Sequence, residues 1–151
     1  RGWFLYHGGE MGRYDDRRFV VLRVVDGDTL DIATPDGNRP YTRIRLWGID
    51  TPEMASEARD AEPFAAEATA MTRQLVDGRE VELDLEPHRV RGAFGRVLAY
   101  VRLPDGRVLN EQLLLAGLAR ADDRRPHRDM ERYELLEDQD RKSREGLWTK
   151  D

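Results

Sequence analysis

The sequence of 151 residues contains no cysteine, which excludes disulfide bonds, thiolate nucleophiles and cysteine-ligated zinc sites. Its three histidines, His7, His88 and His127, show neither the HxH nor the HExxH spacing, so we expect a structural role for each. Neither Ser56 nor Ser143 lies in a Gly-x-Ser-x-Gly elbow. No apolar run approaches the roughly 20 residues that a membrane-spanning helix needs, so we predict no membrane segment in this sequence.

Lysine is almost absent, and arginine supplies nearly all of the positive charge. Only Lys142 and Lys150 are lysines among the 25 basic residues, so the other 23 are arginines. The net charge of -5 argues against a nucleic-acid partner, whereas the planar arginine fork suits bidentate contact with phosphate. The 39% of hydrophobic residues is enough for one core. Composition alone therefore predicts a globular domain and leaves its partner open.

The first 18 residues have the composition of an extension, with a Gly-Gly pair followed by the polar run Asp-Asp-Arg-Arg. We therefore treat residues 1–18 as an N-terminal extension and residues 19–150 as one domain, expected to be a monomer. The sequence starts at Arg1 rather than methionine, which predicts a processed or truncated form and favours a secreted or cell-envelope location over a cytoplasmic one. The apolar run at residues 3–6 lacks the basic flank and small-residue cleavage site of a signal peptide, so we expect none within this sequence.

Hydrophobic periodicity predicts five strands and three helices. The predicted strands lie at residues 19–25, 29–34, 41–49, 80–86 and 97–103, and the predicted helices at 63–78, 108–116 and 127–145. In the third strand Ile44 and Leu46 share one face while Arg43 and Arg45 share the other. Five short strands with inserted helices predict an α+β domain built on a five-stranded OB-fold β-barrel with three helices.

Acidic side chains end two of the predicted strands. Each of the segments Asp-Gly-Asp-Thr at 26–29 and Asp-Thr-Pro-Glu at 50–53 is, taken alone, a common turn or strand end. Asp28 and Asp50 offer hard carboxylate ligands for Ca²⁺ or Mg²⁺, and Glu53 follows a rigid Thr-Pro pair as a possible general base.

Two arginines complete this set of residues. Arg45 precedes the second acidic segment, and Arg96 follows Gly95 near the start of the fifth predicted strand. Two guanidinium groups suit a phosphate that gains negative charge during a reaction. Together with acidic metal ligands and a carboxylate base, they are the parts that metal-assisted phosphodiester hydrolysis requires.

These segments resemble the staphylococcal nuclease (thermonuclease) family, with a likeness that runs from about residue 19 to residue 148. The matching segments, in order, are VDGDTL at 25–30, RLWGIDTPE at 45–53, GRVLAY at 95–100, NE at 110–111, GLA at 117–119 and GLW at 146–148. The resemblance implies an OB-fold barrel with three helices that cleaves DNA and RNA. It also implies attack at the 5′-oxygen side, leaving 3′-phosphate ends.

The resemblance assigns the metal site and the base. It implies one Ca²⁺ ion bound by Asp28, Asp50 and the main-chain carbonyl of Thr51. It further implies that Glu53 activates the attacking water. Both assignments agree with the roles that the residue types indicate, namely aspartate as a hard metal ligand and glutamate as a general base.

The resemblance also assigns substrate contacts, and here the chain departs from the family. Arg45 and Arg96 match the arginines that hold the reacting phosphate. The family's lysine and tyrosine for a terminal phosphate are replaced by Ala93 and Phe94, and Phe94 keeps the ring without the hydroxyl donor. We therefore expect weaker binding of mononucleotides, with the catalytic set intact.

A second departure concerns the nucleotide base. The tyrosines that follow Gly-Leu-Ala in the family align with Asp123 and Arg125, and Asp122 adds a further negative charge nearby. The alternative interpretation is a non-catalytic OB-fold module that binds nucleic acid or a protein partner. Such modules lose the metal aspartates or the glutamate, whereas Asp28, Asp50 and the other catalytic residues are all present here.

Overall fold

The chain alternates short strands and helices from its first described residue onward. The structure is a computed structural model that describes residues 9–143 and 146–149. The elements are α1 (Glu10–Tyr14), β1 (Arg17–Asp26), β2 (Thr29–Ile32), β3 (Thr42–Leu46), β4 (Ile49–Asp50), α2 (Ala65–Val76), β5 (Glu80–Asp84), β6 (Val97–Arg102), α3 (Leu109–Leu115), β7 (Arg120–Ala121) and α4 (Met130–Ser143). Single 3₁₀ turns lie at Ala93–Gly95 and Gly146–Trp148.

Five of these strands close into a barrel in the order β1-β2-β3-β6-β5. Neighbouring strands are antiparallel except β3 and β6, which run parallel. Along β3 the side chains of Thr42, Ile44 and Leu46 are buried, while those of Arg43 and Arg45 are less so. This alternation fills the barrel from one face of each strand. The prediction of an α+β fold on a five-stranded OB-fold barrel is confirmed.

The third predicted strand is divided in two. β3 ends at Leu46, because Gly48 takes a left-handed backbone conformation (φ +73°) that turns the chain. Ile49–Asp50 then form β4, which leaves the barrel and pairs with Arg120–Ala121 in β7. A two-residue strand carries too few side chains to show alternation, so β7 has no sequence signal. This small sheet brings the loop after β7 beside the end of β3.

The helices are shorter than predicted at their N-terminal ends. α2 begins two residues after Pro63, because Phe64 adopts a left-handed conformation (φ +69°) that a helix cannot include. α4 begins at Met130 rather than at residue 127, and the predicted end at 145 lies outside the described residues. No helix in the described part of the chain is long and apolar enough to cross a membrane.

The described part of the predicted N-terminal extension packs onto the barrel. Met11 and Tyr14 of α1 are 6% and 1% exposed and belong to the hydrophobic core. The hydroxyl groups of Tyr14 and Thr42 lie 3.3 Å apart, and Asp15 accepts a hydrogen bond from the backbone N–H of Leu85 at 2.8 Å. Residues 1–8 lie outside the described part. The domain boundary at residue 19 stays a prediction, although core packing begins before it.

A buried asparagine ties α3 to the barrel. Asn110 is fully buried, and its amide oxygen accepts a hydrogen bond from the backbone N–H of Val101 at 3.1 Å. Its amide nitrogen donates to the carbonyl oxygens of Trp47 and Ala99, at 2.9 and 3.3 Å. One side chain thereby fixes β6 against the segment that follows β3, where polar backbone groups would otherwise be buried without partners.

Replacement of Tyr14 tests whether α1 is part of the domain. Tyr14→Ala is expected to lower the free energy of unfolding by about 3–5 kcal/mol, because it removes a fully buried ring. Tyr14→Phe is the control, since it removes only the hydroxyl contact and should cost about 0.5–1.5 kcal/mol. Both are measured by urea denaturation. A loss below about 1 kcal/mol in Tyr14→Ala would show that α1 lies outside the cooperative core.

Candidate active site

A cleft of about 450 Å³ opens at one end of the barrel, and four chain segments line it. These are the β1–β2 turn, the chain from β3 to residue 53, the segment around the 93–95 turn and the loop after β7. Its lining includes six residues for which the sequence predicts a role, namely Asp28, Arg45, Asp50, Glu53, Phe94 and Arg96. The structure therefore places these residues around one space.

Asp28 holds a buried carboxylate at this cleft and is 5% exposed. Its Oδ1 accepts a hydrogen bond from the Thr29 hydroxyl at 3.0 Å, and its Oδ2 accepts one from the backbone N–H of Thr51 at 3.0 Å. Arg45 Nη2 lies 3.3 Å from the same Oδ2. A buried charge is tolerated only with such partners, so the turn and the two segments are held in one geometry.

Arg45 connects the two aspartates predicted to bind metal. Its Nη1 donates to the carbonyl oxygens of Leu46 and Ile49, both at 2.8 Å. Its Nη2 faces Asp28 and lies 3.6 Å from Asp50 Oδ1. With a side chain only 13% exposed, this guanidinium is fixed in position before any substrate arrives.

The carboxylates at this end of the barrel repel one another. The pKa of Asp50 is raised, chiefly by burial and then by the charge of Asp28, while Arg45 opposes the rise. The pKa of Asp26 is raised to about 7 by burial, followed by the charge of Asp28. Arg45 therefore balances only part of the negative charge, and a cation at this point would relieve the remainder.

Glu53 borders the cleft with a carboxylate that is free to act. It is exposed, and its backbone N–H donates to Glu62 Oε1 at 2.7 Å while its carbonyl accepts from the Glu62 N–H. These two bonds fix the main chain and leave the side chain unused. Within residues 9–143 and 146–149 no hydrogen bond or ion pair is made by its carboxylate. A positioned but unpaired carboxylate suits a base that acts on water.

Arg96 and Phe94 line the cleft from the segment around the 93–95 turn. Arg96 Nε donates to the carbonyl of Ala93 at 3.1 Å, and the Arg96 pKa is lowered by burial first and by Arg45 second. Phe94 is 94% exposed and takes a left-handed conformation (φ +61°), with the Arg96 guanidinium 5.6 Å from its ring centre. The strained turn holds an apolar ring in solvent beside the second cleft arginine.

Comparison with known proteins agrees with this geometry. Residues 43–150 match the family described as staphylococcal nuclease homologue. The chain belongs to the staphylococcal nuclease family. It is 33% identical to the thermonuclease of Staphylococcus hyicus over 136 residues, which are 89% of this chain and 78% of that protein. It is 36% identical to the thermonuclease of Staphylococcus intermedius over 126 residues, 82% of this chain and 69% of the relative.

A third relative extends the comparison beyond the staphylococci. The endonuclease YncB of Bacillus subtilis is 34% identical over 98 residues, which are 65% of this chain and 44% of that protein. Membership of the staphylococcal nuclease family makes the chain a nuclease, that is, a phosphodiester hydrolase. The resemblance seen in the sequence motifs is thereby confirmed at the level of family and enzyme class.

The loop after β7 adds charged side chains to the cleft, for which the sequence predicts no catalytic or metal-binding role. Asp122, Arg124 and Arg125 line the cleft from the loop after β7, whereas Asp123 does not. Arg124 donates to both carboxylate oxygens of Asp122, at 2.9 and 2.6 Å, and the pKa of Asp122 is held low by this contact. The sequence marks Arg125 only as a departure from a family tyrosine beside the nucleotide base, and no motif distinguishes Arg124 from other arginines.

A second acidic group lies elsewhere on the nuclease. One oxygen from each of Asp16, Glu82 and Asp84 falls within 4.8 Å of the others, and none of the three lines the cleft. Arg102 pairs with Glu82 at 3.6 Å and with Asp84 at 2.7 Å, and Arg128 lies 3.6 Å from Asp84. Side chains of the fold itself therefore balance this group.

Aromatic packing supports the wall of the cleft near Trp47. The His127 ring stacks on Trp47 with centres 5.9 Å apart, and its Nδ1 lies 3.0 Å from the Tyr100 hydroxyl. The Tyr100 hydroxyl also donates to the buried carboxylate of Glu86. Burial lowers the pKa of His127 despite Glu86 nearby, which favours the neutral ring. The sequence-based expectation of a structural histidine agrees with this arrangement.

Gly48 gives a test of this wall. A methyl group there would overlap the His127 ring and lie 3.0 Å from Tyr133, in a residue with positive φ. Gly48→Ala is therefore expected to lower the free energy of unfolding by about 2–5 kcal/mol, from backbone strain and overpacking. Gly37 also has positive φ but open space around it, so Gly37→Ala should cost only about 1–2 kcal/mol. Equal losses in chemical denaturation would contradict the packing described.

Proposed function

We propose that this nuclease is calcium-dependent and hydrolyses phosphodiester bonds of DNA or RNA at the 5′-oxygen side, leaving 3′-phosphate ends. The observation that carries the proposal is the buried Asp28 carboxylate, tied to Arg45 at the cleft that Asp50, Glu53 and Arg96 also line. Acid ligands, a free carboxylate base and two guanidinium groups then face one space. We propose that the nuclease acts as a monomer, and a secreted or cell-envelope location stays a prediction.

The donor set fits one hard divalent cation. Asp28 and Asp50 contribute carboxylates that both lie near Arg45 Nη2, and Thr51 lies next to Asp28 through its backbone N–H bond. We assign the carboxylates of Asp28 and Asp50 and the carbonyl of Thr51 to one Ca²⁺ ion, since calcium prefers oxygen ligands. When bound, the ion supplies positive charge opposite the phosphate oxygens that gain charge in the reaction.

Glu53 takes the proton from the attacking water. Its unpaired, exposed carboxylate lines the cleft, and its main chain is fixed by Glu62. Water attacks phosphorus as Glu53 accepts one proton, and the bond from phosphorus to the 5′ oxygen breaks. The departing oxygen takes up one proton and becomes a 5′ hydroxyl, while the phosphate stays on the 3′ carbon.

The arginines stabilise the charge that develops on phosphate. Arg45 is locked by two backbone carbonyls, so its guanidinium is already oriented and loses little freedom on binding. Arg96 lacks an ion-pair partner in the described part of the chain, and its bond to Ala93 leaves both terminal nitrogens for phosphate. Both groups line the cleft as donors already in place for the charge that develops on phosphate.

Phe94 offers a stacking surface for the bound strand. An aromatic ring that is 94% exposed beside a reactive cleft loses apolar hydration when a base or sugar covers it. Stacking of a base on an aromatic ring contributes about 1–3 kcal/mol and tolerates any base. We therefore assign Phe94 to binding of substrate without strong sequence preference.

Calcium binding is tested by calorimetry on the protein alone. Asp50→Asn is expected to weaken Ca²⁺ binding at least about tenfold, because it removes one of two charged ligands. Asp16→Asn is the matched control, since it removes a carboxylate from the acidic group outside the cleft and should leave the affinity unchanged. Loss of binding only in Asp16→Asn, or full nuclease activity in excess chelator, would overturn the metal assignment.

The role of Glu53 is tested by turnover. Glu53→Gln should reduce kcat by about 10²- to 10⁴-fold with an unchanged unfolding transition, because glutamine cannot accept the proton. Glu57→Gln removes the same charge from another exposed residue of the same loop and should retain wild-type kcat. The rate is followed on denatured DNA and on RNA with calcium present. Wild-type turnover in Glu53→Gln would show that Glu53 is not the general base and that another group activates the water.

A further inference from the structure

Arg125 is a cleft cation without an internal partner. It lines the cleft with Arg45 and Arg96, and it is exposed. The guanidinium of its neighbour Arg124 donates hydrogen bonds to both carboxylate oxygens of Asp122. Among the residues that the structure describes, none makes a hydrogen bond or ion pair with the Arg125 side chain. Its guanidinium therefore keeps all five donors for a ligand.

The Arg125 side chain lies over Gly92. A Cβ at Gly92 would lie 3.2 Å from Arg125 Nη1 and 3.1 Å from a methyl group of Leu98. The backbone of Gly92 (φ -104°) suits any residue, so backbone strain does not explain a glycine there. The short distances show instead that the Arg125 guanidinium and the Leu98 side chain both approach this glycine closely. The Gly92 N–H donates to the Arg96 carbonyl at 2.8 Å, so Arg125 lies beside the segment that carries Arg96.

Gly92 immediately precedes Ala93, where the sequence comparison indicates a missing lysine. Arg125 lies 33 positions after Gly92 in the sequence (125 − 92), and the loop after β7 brings its guanidinium beside this glycine. Within this loop Arg124 pairs with Asp122 at 2.6 Å, and Asp123 does not line the cleft, so Arg125 is the loop's cleft charge without a partner among the described residues. This pairing offsets part of the negative charge that Asp122 adds near the cleft.

We propose that Arg125 binds a phosphate of the nucleic acid that neighbours the phosphate being cleaved. The proposal rests on the proposed nuclease function, since it places the cleaved phosphate between Arg45 and Arg96. A guanidinium fork binds phosphate through two parallel N–H···O bonds. Arg125 is therefore a specificity-determining residue that favours substrates with more than one phosphate, and it takes no part in bond cleavage.

Two substrates separate this role from catalysis. Thymidylyl-thymidine contains only the phosphate that is cleaved, whereas a thymidine pentanucleotide also contains neighbouring phosphates. Arg125→Gln is expected to raise KM for the pentanucleotide about tenfold or more, with kcat within about twofold, because one charge-assisted contact is lost. KM and kcat for the dinucleotide should not change, and Arg125→Lys should recover part of the pentanucleotide affinity.

The control is Arg79→Gln, which removes the same charge from an exposed arginine outside the cleft. This substitution should leave KM and kcat unchanged for both substrates. An equal loss on both substrates in Arg125→Gln would place Arg125 at the cleaved phosphate and overturn the proposal. Unchanged KM for the pentanucleotide would also overturn it.

The affinity for a fluorescent pentanucleotide tests the role of Arg125 even if the wild-type protein cleaves neither substrate. In that case the proposed function fails, while the proposal for Arg125 still predicts weaker binding. It also predicts that the slope of log affinity against log salt falls by about 0.7 in Arg125→Gln relative to Arg79→Gln. An equal slope in the two variants would show that Arg125 contacts no phosphate.

Discussion

The buried carboxylate of Asp28 is the charge around which one end of the barrel is organised. Gly27 lets its turn approach Thr51 closely, since a Cβ there would lie 2.8 Å from Thr51 Oγ1. That approach brings Asp28 within hydrogen-bond distance of the Thr51 N–H and within 3.3 Å of Arg45. Breaking such a buried pair costs several kcal/mol, on the order of 3–5, so stability and site geometry depend on the same contacts. Arg45 then extends the constraint to Asp50.

The scaffold around this charge is rigid where catalysis is proposed and open where substrate is proposed to bind. Asn110 joins the segment after β3 to β6 from a fully buried position. The parallel pairing of β3 with β6 carries Arg45 and Leu98 side by side. Phe94 and Arg125, by contrast, are exposed and come from loops. This division suits an enzyme that holds Asp28 and Arg45 fixed while tolerating many nucleic-acid sequences.

The barrel was predictable from local hydrophobic patterns, and the grouping of charged residues from their complementary chemistry and the resemblance of ordered motifs to the family. Alternation around Ile44 predicted which face of β3 is buried, and ordered motifs indicated the family. Contacts between distant segments gave no comparable signal. Tyr14 is buried at the end of α1, a helix of five residues that is too short to show hydrophobic periodicity. The left-handed conformation of Phe64 shifts the start of α2 beyond Pro63, and no sequence pattern indicates it. Arg125 lies over Gly92, and no sequence pattern predicts this contact between two loops.

The carboxylates of Asp28 and Asp50 are proposed to bind the metal ion of the nuclease. Anomalous diffraction from crystals grown with calcium tests this proposal most directly, because it locates the ion without reference to activity. The account predicts one strong peak in contact with carboxylate oxygens of Asp28 and Asp50 and with the Thr51 carbonyl, at about 2.3–2.6 Å. A cleft without a peak, or a peak at the group of Asp16 and Glu82 instead, would contradict it.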